Sequence, residues 1–427
     1  MAAAKRKLKR ERASSADVLG RAQQRRTRSA PPGRGASLLA AIGIEAEFAV
    51  VMDGQQARPE DVFGSPRRIV RGPLMHRTGR SYHLPTGSAV YFDTGVIELA
   101  TPMIEIERGC AARAGRSLWE SILFLRRELD AWEEKHQHEV RLAGFSTHYN
   151  VSFDVAARER DGHRTVEQLA ILLTYLLPAP VMLLAANRQS TGIGVRPRGN
   201  RIEVTADFTP DAALMIATAT LVVGIVRDVM RWPSYDLALL EREPYRQIPV
   251  FRDFAPAPHS SRTGWVARYS SFATNPFVCD LDQPLWETRH ARRLSLREIA
   301  GRATRFFWPS IRRLADPFTL RLIGSVMAGR ASSLLELQER PPSYESVGQL
   351  CSWEDLFPEH ELPRSRYERV LIRAIHGDRL HLHNDDWYTP TGMRGWSHVI
   401  FRRDRDRTKH IFSLDYLLQH LDDWEAR

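Results

Sequence analysis

The sequence predicts an α+β fold: a curved antiparallel β-sheet with a polar concave active face, and helices packed on the other face. Three observations predict it. Segments at 43–48, 97–99, 146–153 and 201–208 alternate between apolar and polar residues, the period-two mark of strands with one buried side. Stretches of helical spacing separate them, with Leu118, Ile122, Leu125 and Leu129 sharing one face of 108–137. The polar sides of those strands carry Glu45, Glu47, Asp93, Glu98, His148 and Glu203 and no lysine. A plain wet face would mix in Lys, Thr, Gln and Ser.

Taken in order, residues 1–37 read as a disordered basic tail. A strand is expected over 38–52, and two short strands within 87–106 meet at Thr94-Gly95. After the 108–137 helix come a strand at 142–153, helices over 164–187, and strands across 192–208 that turn at Arg198-Gly199-Asn200. Thr209 suits an N-cap, Pro210 the first helical position and Asp211 the positive helix end, so a buried helix should run to about Arg231. The stretch 232–290 is rich in Pro, Ser, Arg and aromatics with little periodicity, a functional or packing loop. Helical patterns resume over 294–377, and a hairpin and a last helix at 413–422 close the chain. The expected division is tail 1–37, catalytic domain 38–345 and a small C-terminal accessory region 346–427.

The chain has 427 residues, 43% of them apolar, enough for a substantial core. Its formal charge of +10 is local: residues 1–36 hold eleven Lys/Arg against two Asp/Glu, leaving 50 against 49 elsewhere. A solvated arm is the plainer reading of the tail, and a contact with a polyanion the sharper one. Cys110, Cys279 and Cys351 form no paired or metal-knuckle spacing. No secretory h-region follows the basic start. Residues 169–187 lack charge, but Pro178 and Pro180 interrupt them, and the apolar run at 212–226 is short for a bilayer. A soluble, cytoplasmic protein without a membrane partner is expected.

Crowded carboxylates repel one another unless cations sit among them. Mg²⁺ is commonly held by a few carboxylates together with substrate phosphates. Neither a Walker A loop nor a Gly-x-Gly-x-x-Gly is present, so a nucleotide would be held by metals and arginines.

Gly43-x-Glu45-x-Glu47-Phe48, His148-x-Asn150, and Arg201-Ile-Glu203-Val leading through Asp207 and Pro210 into an Ala-rich helix resemble the glutamine synthetase superfamily of carboxylate-amine ligases. The stretch YFDTGVIELATP, 91–102, is similar to the branch containing the Pup ligase and the Pup deamidase, and more distantly to glutamate-cysteine ligase. The resemblance covers about 40–231. It implies ATP with Mg²⁺ or Mn²⁺, a carboxylate substrate, an amine or a protein or peptide acceptor, and an amide or isopeptide bond made through an acyl phosphate. It implies that Glu45, His148 and Glu203 hold the metal nearer the terminal phosphate and that Glu47 and Glu98 hold a second. Asp93 matches the branch's base, Arg201 and Arg196 would neutralise phosphate oxygens, and Asn150 would lie near the nucleotide. The chain departs from the branch at Met103, where another acid is usual; Glu105 follows two positions later.

Two alternatives stand beside this: amide hydrolysis in the same pocket, as in the Pup deamidase, and a noncatalytic nucleotide-binding scaffold with a polyanion-binding tail. His381, His383, Asp385 and Asp386 have metal-like composition, though a hairpin surface explains them as well. His259, Arg262 and Arg268 could contact substrate anions, and Trp265, Tyr269 and Phe272 read as packing residues.

Overall fold

A computed structural model describes residues 40–155, 162, 164–261, 263–290, 293–336, 363–382 and 385–425. The tail 1–37, Arg262, Cys351, His383 and the expected boundary at 345/346 lie outside the described residues.

The main sheet contains β1 (Ala41–Met52), β2 (Gln55–Ala57), β3 (Met75–Thr78), β4 (Ser81–His83), β5 (Ala89–Asp93), β6 (Val96–Ala100), β7 (Ile104–Glu105), β8 (Val140–Ser152), β9 (Ile193–Pro197), β10 (Arg201–Asp207), β11 (Ala257–Pro258) and β12 (Trp265–Ala267). The spatial order is β11-β12-β9-β10-β8-β1-β6-β5-β4-β3, with β2 and β7 also paired to β1, so the sheet is open. Every pairing is antiparallel. The fold class is therefore the expected one.

Burial follows the alternation. Ile44, Ala46 and Phe48 of β1 are fully buried while Glu45 and Glu47 between them are half-buried. The helices α1 (Cys110–His136), α2 (Val166–Leu176), α3 (Pro178–Ala185), α4 (Ala212–Val229), α5 (Leu296–Leu314) and α6 (Pro317–Met327) build one hydrophobic core with the apolar faces of the strands. Trp119 of α1 sits 6.2 Å from Phe208, whose ring is 5.2 Å from Phe48, which ties helix to sheet. Pro178 starts α3 and bends it 65° from α2, as expected where proline removes a backbone donor. Helix α4 is long and apolar enough to cross a membrane, but 83% of it is buried inside the protein.

The N-cap of α4 is Asp211, whose carboxylate accepts from the Leu214 amide at 2.9 Å, and not the expected Thr209. Asp211 keeps extended dihedrals and reaches the third helical N–H, so Thr209 and Pro210 fall outside the helix. The 232–290 stretch extends the sheet through β11 and β12 and packs an aromatic cluster of Phe251, Phe254, Phe272 and Trp286. Trp265 is partly buried against the core, but Tyr269 is 61% exposed and does not pack as expected.

Beyond a short ladder of β13 (Trp286–Glu287) and β14 (Arg293–Leu294), the C-terminal part follows α7 (Arg366–His376). It forms a second sheet from β15 (Arg379–Leu382), β16 (Asp386–Arg394), β17 (His398–Arg403), β18 (Lys409–Ser413) and β19 (Trp424–Glu425). This is larger than the expected hairpin, and the last helix, α8 (Leu414–Leu418), is a short piece after β18. Its core includes Ala41 and Met75 of the main sheet. Glu105 joins the two parts: its carboxylate accepts from the Tyr367 amide at 3.3 Å and pairs with Arg366.

Candidate metal centre between two clefts

Strand register brings distant residues together. Across β1 and β8, Glu45 pairs with His148 and Glu47 with Ser146; across β1 and β6, Glu47 pairs with Glu98. Residues directly opposite have Cβ atoms about 4.5–5.5 Å apart, and same-side neighbours fill the gaps. One ligating atom each from Glu45, Glu98 and His148 lie within 4.8 Å of one another. Atoms that close can share one divalent cation, which Mg²⁺ would require at about 2.0–2.1 Å from each.

The electrostatics describe a place short of one positive charge. Burial raises the pKa of Glu98 to about 9, and the neighbouring Glu45 and Glu47 charges add to the rise against the lowering effect of the Tyr91 hydroxyl, which donates to Oε1 at 2.5 Å. Burial works the same way on Glu45, but hydrogen bonding and charge from His148, with the charge of Arg201, prevail and hold it at about 2. One of two adjacent carboxyls is thus ionised and the other keeps its proton. His148 Nδ1 lies 3.4 Å from Glu45 Oε2, and Nε2 lies 3.2 Å from Ser146 Oγ, which donates to Glu47 Oε2 at 2.6 Å. Two carboxyls and an imidazole fit a divalent cation, which would displace the proton and meet both charges.

Glu203 stands apart. It is buried, opposite Asn150 on β8 and Arg196 on β9, and its carboxylate pairs with Arg196 and, at 2.9 Å, with Arg198. The three-residue group does not include it. Arg201 donates to Asn150 Oδ1 at 2.7 Å. Asp93 ends β5 at an exposed hairpin tip, where Thr94 and Gly95 both adopt positive φ, 46° and 98°. The tip is anchored by Gly95 N–H donating to Glu60 at 3.0 Å. A β-branched residue at positive φ is an outlier of the kind that persists where surrounding structure fixes it.

Two clefts flank the group on the polar face. A narrower one of about 240 Å³ is lined by Glu45, Thr101, Met103, Asn150, Arg201 and Trp396 among others. A wider one of about 1150 Å³ is lined by Glu47, Asp93, His148, Arg196, Asp207 and His259 among others. His259 lies over Gly194, where a Cβ would come within 2.2 Å of Thr205 Oγ1 and 3.1 Å of the imidazole; the absence of a side chain there leaves room for Thr205 and brings the ring close to the strand. Phe145 belongs to the same cleft. It is the extra residue of a β-bulge, since Glu47 pairs with Ser146 but Phe48 with Gly144, and it is 52% exposed.

Arg268 is exposed and does not line either cleft. His381 contacts Asp385 at 3.1 Å and Asp386 pairs with Arg403 at 3.1 Å, which accounts for those charges without a metal. Several site residues escaped the sequence reading: Tyr91, Arg198 and Trp396. Tyr91 was within reach, since it shares its strand side with Asp93. Trp396 gave no signal, coming from a turn in the second sheet.

No protein-family model matches the chain, and no curated protein matches it. Among solved structures, the complex between the prokaryotic ubiquitin-like protein Pup and its ligase PafA aligns with a TM-score of 0.42 at 10% identity, covering 90% of this chain and 92% of that chain. A superposition that loose adds nothing to the strand order and register, on which the fold assignment rests.

Proposed function

We propose that this chain is a glutamine synthetase-like, ATP-dependent carboxylate-amine ligase that uses Mg²⁺ or Mn²⁺. The observation that carries the reading is the convergence of Glu45, Glu98 and His148 on one point between two clefts. Bound there, a divalent cation supplies charge neutralisation for phosphoryl transfer. Asn150 and Arg201 line the narrower cleft beside Glu45, which suits a nucleotide and its phosphate oxygens, and Arg196 offers a guanidinium to the wider one. Asp93 opens onto the wider cleft, which suits the acceptor.

In this scheme a substrate carboxylate oxygen attacks the γ-phosphorus, ADP leaves, and the amine nitrogen attacks the resulting acyl phosphate. Asp93 takes the amine proton as phosphate departs. Glu47 orients His148 through Ser146, while Glu203 holds Arg196 and Arg198 in place. A protein or peptide acceptor suits the width of the second cleft, and the basic residues 1–36 are proposed to add a salt-sensitive polyanion contact.

The test is trapping. Incubation with ATP, Mg²⁺, candidate carboxylates and hydroxylamine should give a hydroxamate together with equimolar ADP. Amide cleavage without ADP release would replace this reading with hydrolysis, and metal-dependent ATP binding without any turnover would leave a scaffold.

A further inference from the structure

The polar face of the main sheet changes character one row away from the acidic group. Opposite residues on neighbouring strands share a side of the sheet, so the register sorts that side into rows. Glu98, Glu47 and Ser146 form one row across β6, β1 and β8. The next starts at Asp93, the last residue of β5, and runs through Val96 and Ala49 to Ala143. Beyond its first member this row has no polar side chain, and Val96, Ala49 and Ala143 are all half-buried. Phe145, the bulge residue, comes up between the two rows, and with Asp93, Val96 and Ala49 it lines the wider cleft. The cleft thus has a carboxylate at one end of an apolar shelf and an exposed phenyl ring at the other.

Both ends are open to a ligand. The Asp93 carboxylate accepts from the Thr94 hydroxyl at 3.1 Å and makes no ion pair among the described residues, while Arg58, the cation beside the tip, pairs with Glu60 at 3.9 Å. At the far end the Phe145 ring is 52% exposed. Neighbouring strands lie about 4.8 Å apart, which puts Val96 about 5 Å, Ala49 about 10 Å and Ala143 about 14 Å from Asp93. An alkylamine is a cation in water, so its nitrogen suits Asp93. A body of about 10 Å laid along the shelf would cover Val96 and Ala49 and bring its far end against the Phe145 ring. A polar body would leave its groups without partners there.

We propose that the wider cleft selects primary amines with an apolar, aromatic-ended body, and that Phe145 is the specificity-determining residue. The proposal rests on the reading of this cleft as the acceptor side of the ligase. The amine nitrogen sits at Asp93, about 7 Å along the strands from the Glu98 row, and the body points away from the acidic group.

The probes are 4-phenylbutylamine and butylamine, their binding to the full chain measured by ligand-observed NMR without ATP. The phenyl compound should bind at least tenfold more tightly, because its ring leaves water against Phe145. Phe145→Ala should reduce that preference to about threefold or less, and Phe145→Leu should keep most of it. Asp93→Asn should weaken both amines by the same factor, since it acts on the nitrogen alone. If Phe145→Ala does not fold, Val96→Thr keeps the shape of the shelf, makes it polar and should also lower the preference. Wild-type protein that binds both amines alike, or neither, overturns the proposal, as does a preference unchanged in folded Phe145→Ala or amine binding indifferent to Asp93→Asn. The hydroxamate test reports on the ligase separately: hydroxamate from a chain that binds both amines alike removes the shelf and keeps the ligase. A Phe145-dependent preference in a chain that forms no hydroxamate keeps the shelf as an amine site and removes the ligase.

Discussion

Titrating the protein with Mg²⁺ at different pH values tests the central charge arrangement directly. The carboxyl of Glu98, pushed up to about 9, is almost fully protonated at pH 7, whereas that of Glu45, held at about 2, is ionised. A cation bound to both must displace close to one proton. Mg²⁺ affinity should therefore rise about tenfold per pH unit between pH 7 and about 9 and level off above, each unit being worth about 1.4 kcal/mol. Calorimetry in buffers of different ionisation enthalpy would read the released proton as well as the affinity. The metal-free protein responds in the opposite sense. Between the ordinary value of 4.5 and about 9 the folded chain keeps a proton that the unfolded chain has lost, so stability falls as pH rises. At pH 7 that penalty is at most about 3 kcal/mol, and Glu98→Gln, which has no proton to lose, should remove it while weakening Mg²⁺ binding and abolishing its pH slope. A Mg²⁺ affinity independent of pH from 7 to 9, with no proton released, would refute the shared-proton account.

Three further outcomes are expected. Asp93→Asn should keep Mg-ATP affinity near wild type while turnover drops about 10²–10⁴-fold; loss of both in calorimetry and ADP release would make Asp93 a ligand or a structural residue. Glu203→Gln should destabilise the fold by about 3 kcal/mol in urea titration, since it strands Arg196 beside a neutral amide. Phe48→Ala should cost about 3–5 kcal/mol by the same measurement, because the ring is fully buried against Phe208.

Much of this architecture was legible because the sheet obeys period two. The alternation around Glu45 and Glu47 separates core from polar face, and the Thr94-Gly95 turn is found where two short strands were expected to meet. What stayed hidden was set by pairing rather than pattern. The strands of the second sheet carry polar residues such as Lys409 and His410, and the ladder that closes it joins its first strand to its last, Arg379 to Glu425. Asp211 displaced Thr209 as the cap because a carboxylate two residues later reaches the Leu214 amide, a choice settled by dihedral angles. Trp396 became visible only when the turn between β16 and β17 was placed against the narrower cleft.

The spacing of arginines decides which carboxylates can receive a cation, and this sets Glu203 apart from the other acids on the face. Arg196 sits directly across from Glu203 on β9, and Arg198, at the β9–β10 turn, closes on it from the same side. Glu203 is thereby neutralised twice and turned into the anchor of two guanidiniums. On the β1–β6 side the balance is reversed: Glu45 and Glu98, diagonal neighbours across the ladder, have no guanidinium hydrogen-bonded to either among the described residues, and Arg201 is spent on Asn150. Two like groups so close can ionise together only if a cation enters. A metal at Glu203 would first have to break two ion pairs, whereas one at the Glu45–Glu98–His148 group has only a proton to remove. The order of filling follows from that difference: the first equivalent of Mg²⁺ should shift the NMR signals of the His148 ring and leave those of the Arg196 and Arg198 side chains in place. Shifts at Arg196 and Arg198 with His148 unchanged would show that Glu203 releases its arginines to bind the metal, and that the arginine spacing does not govern the site.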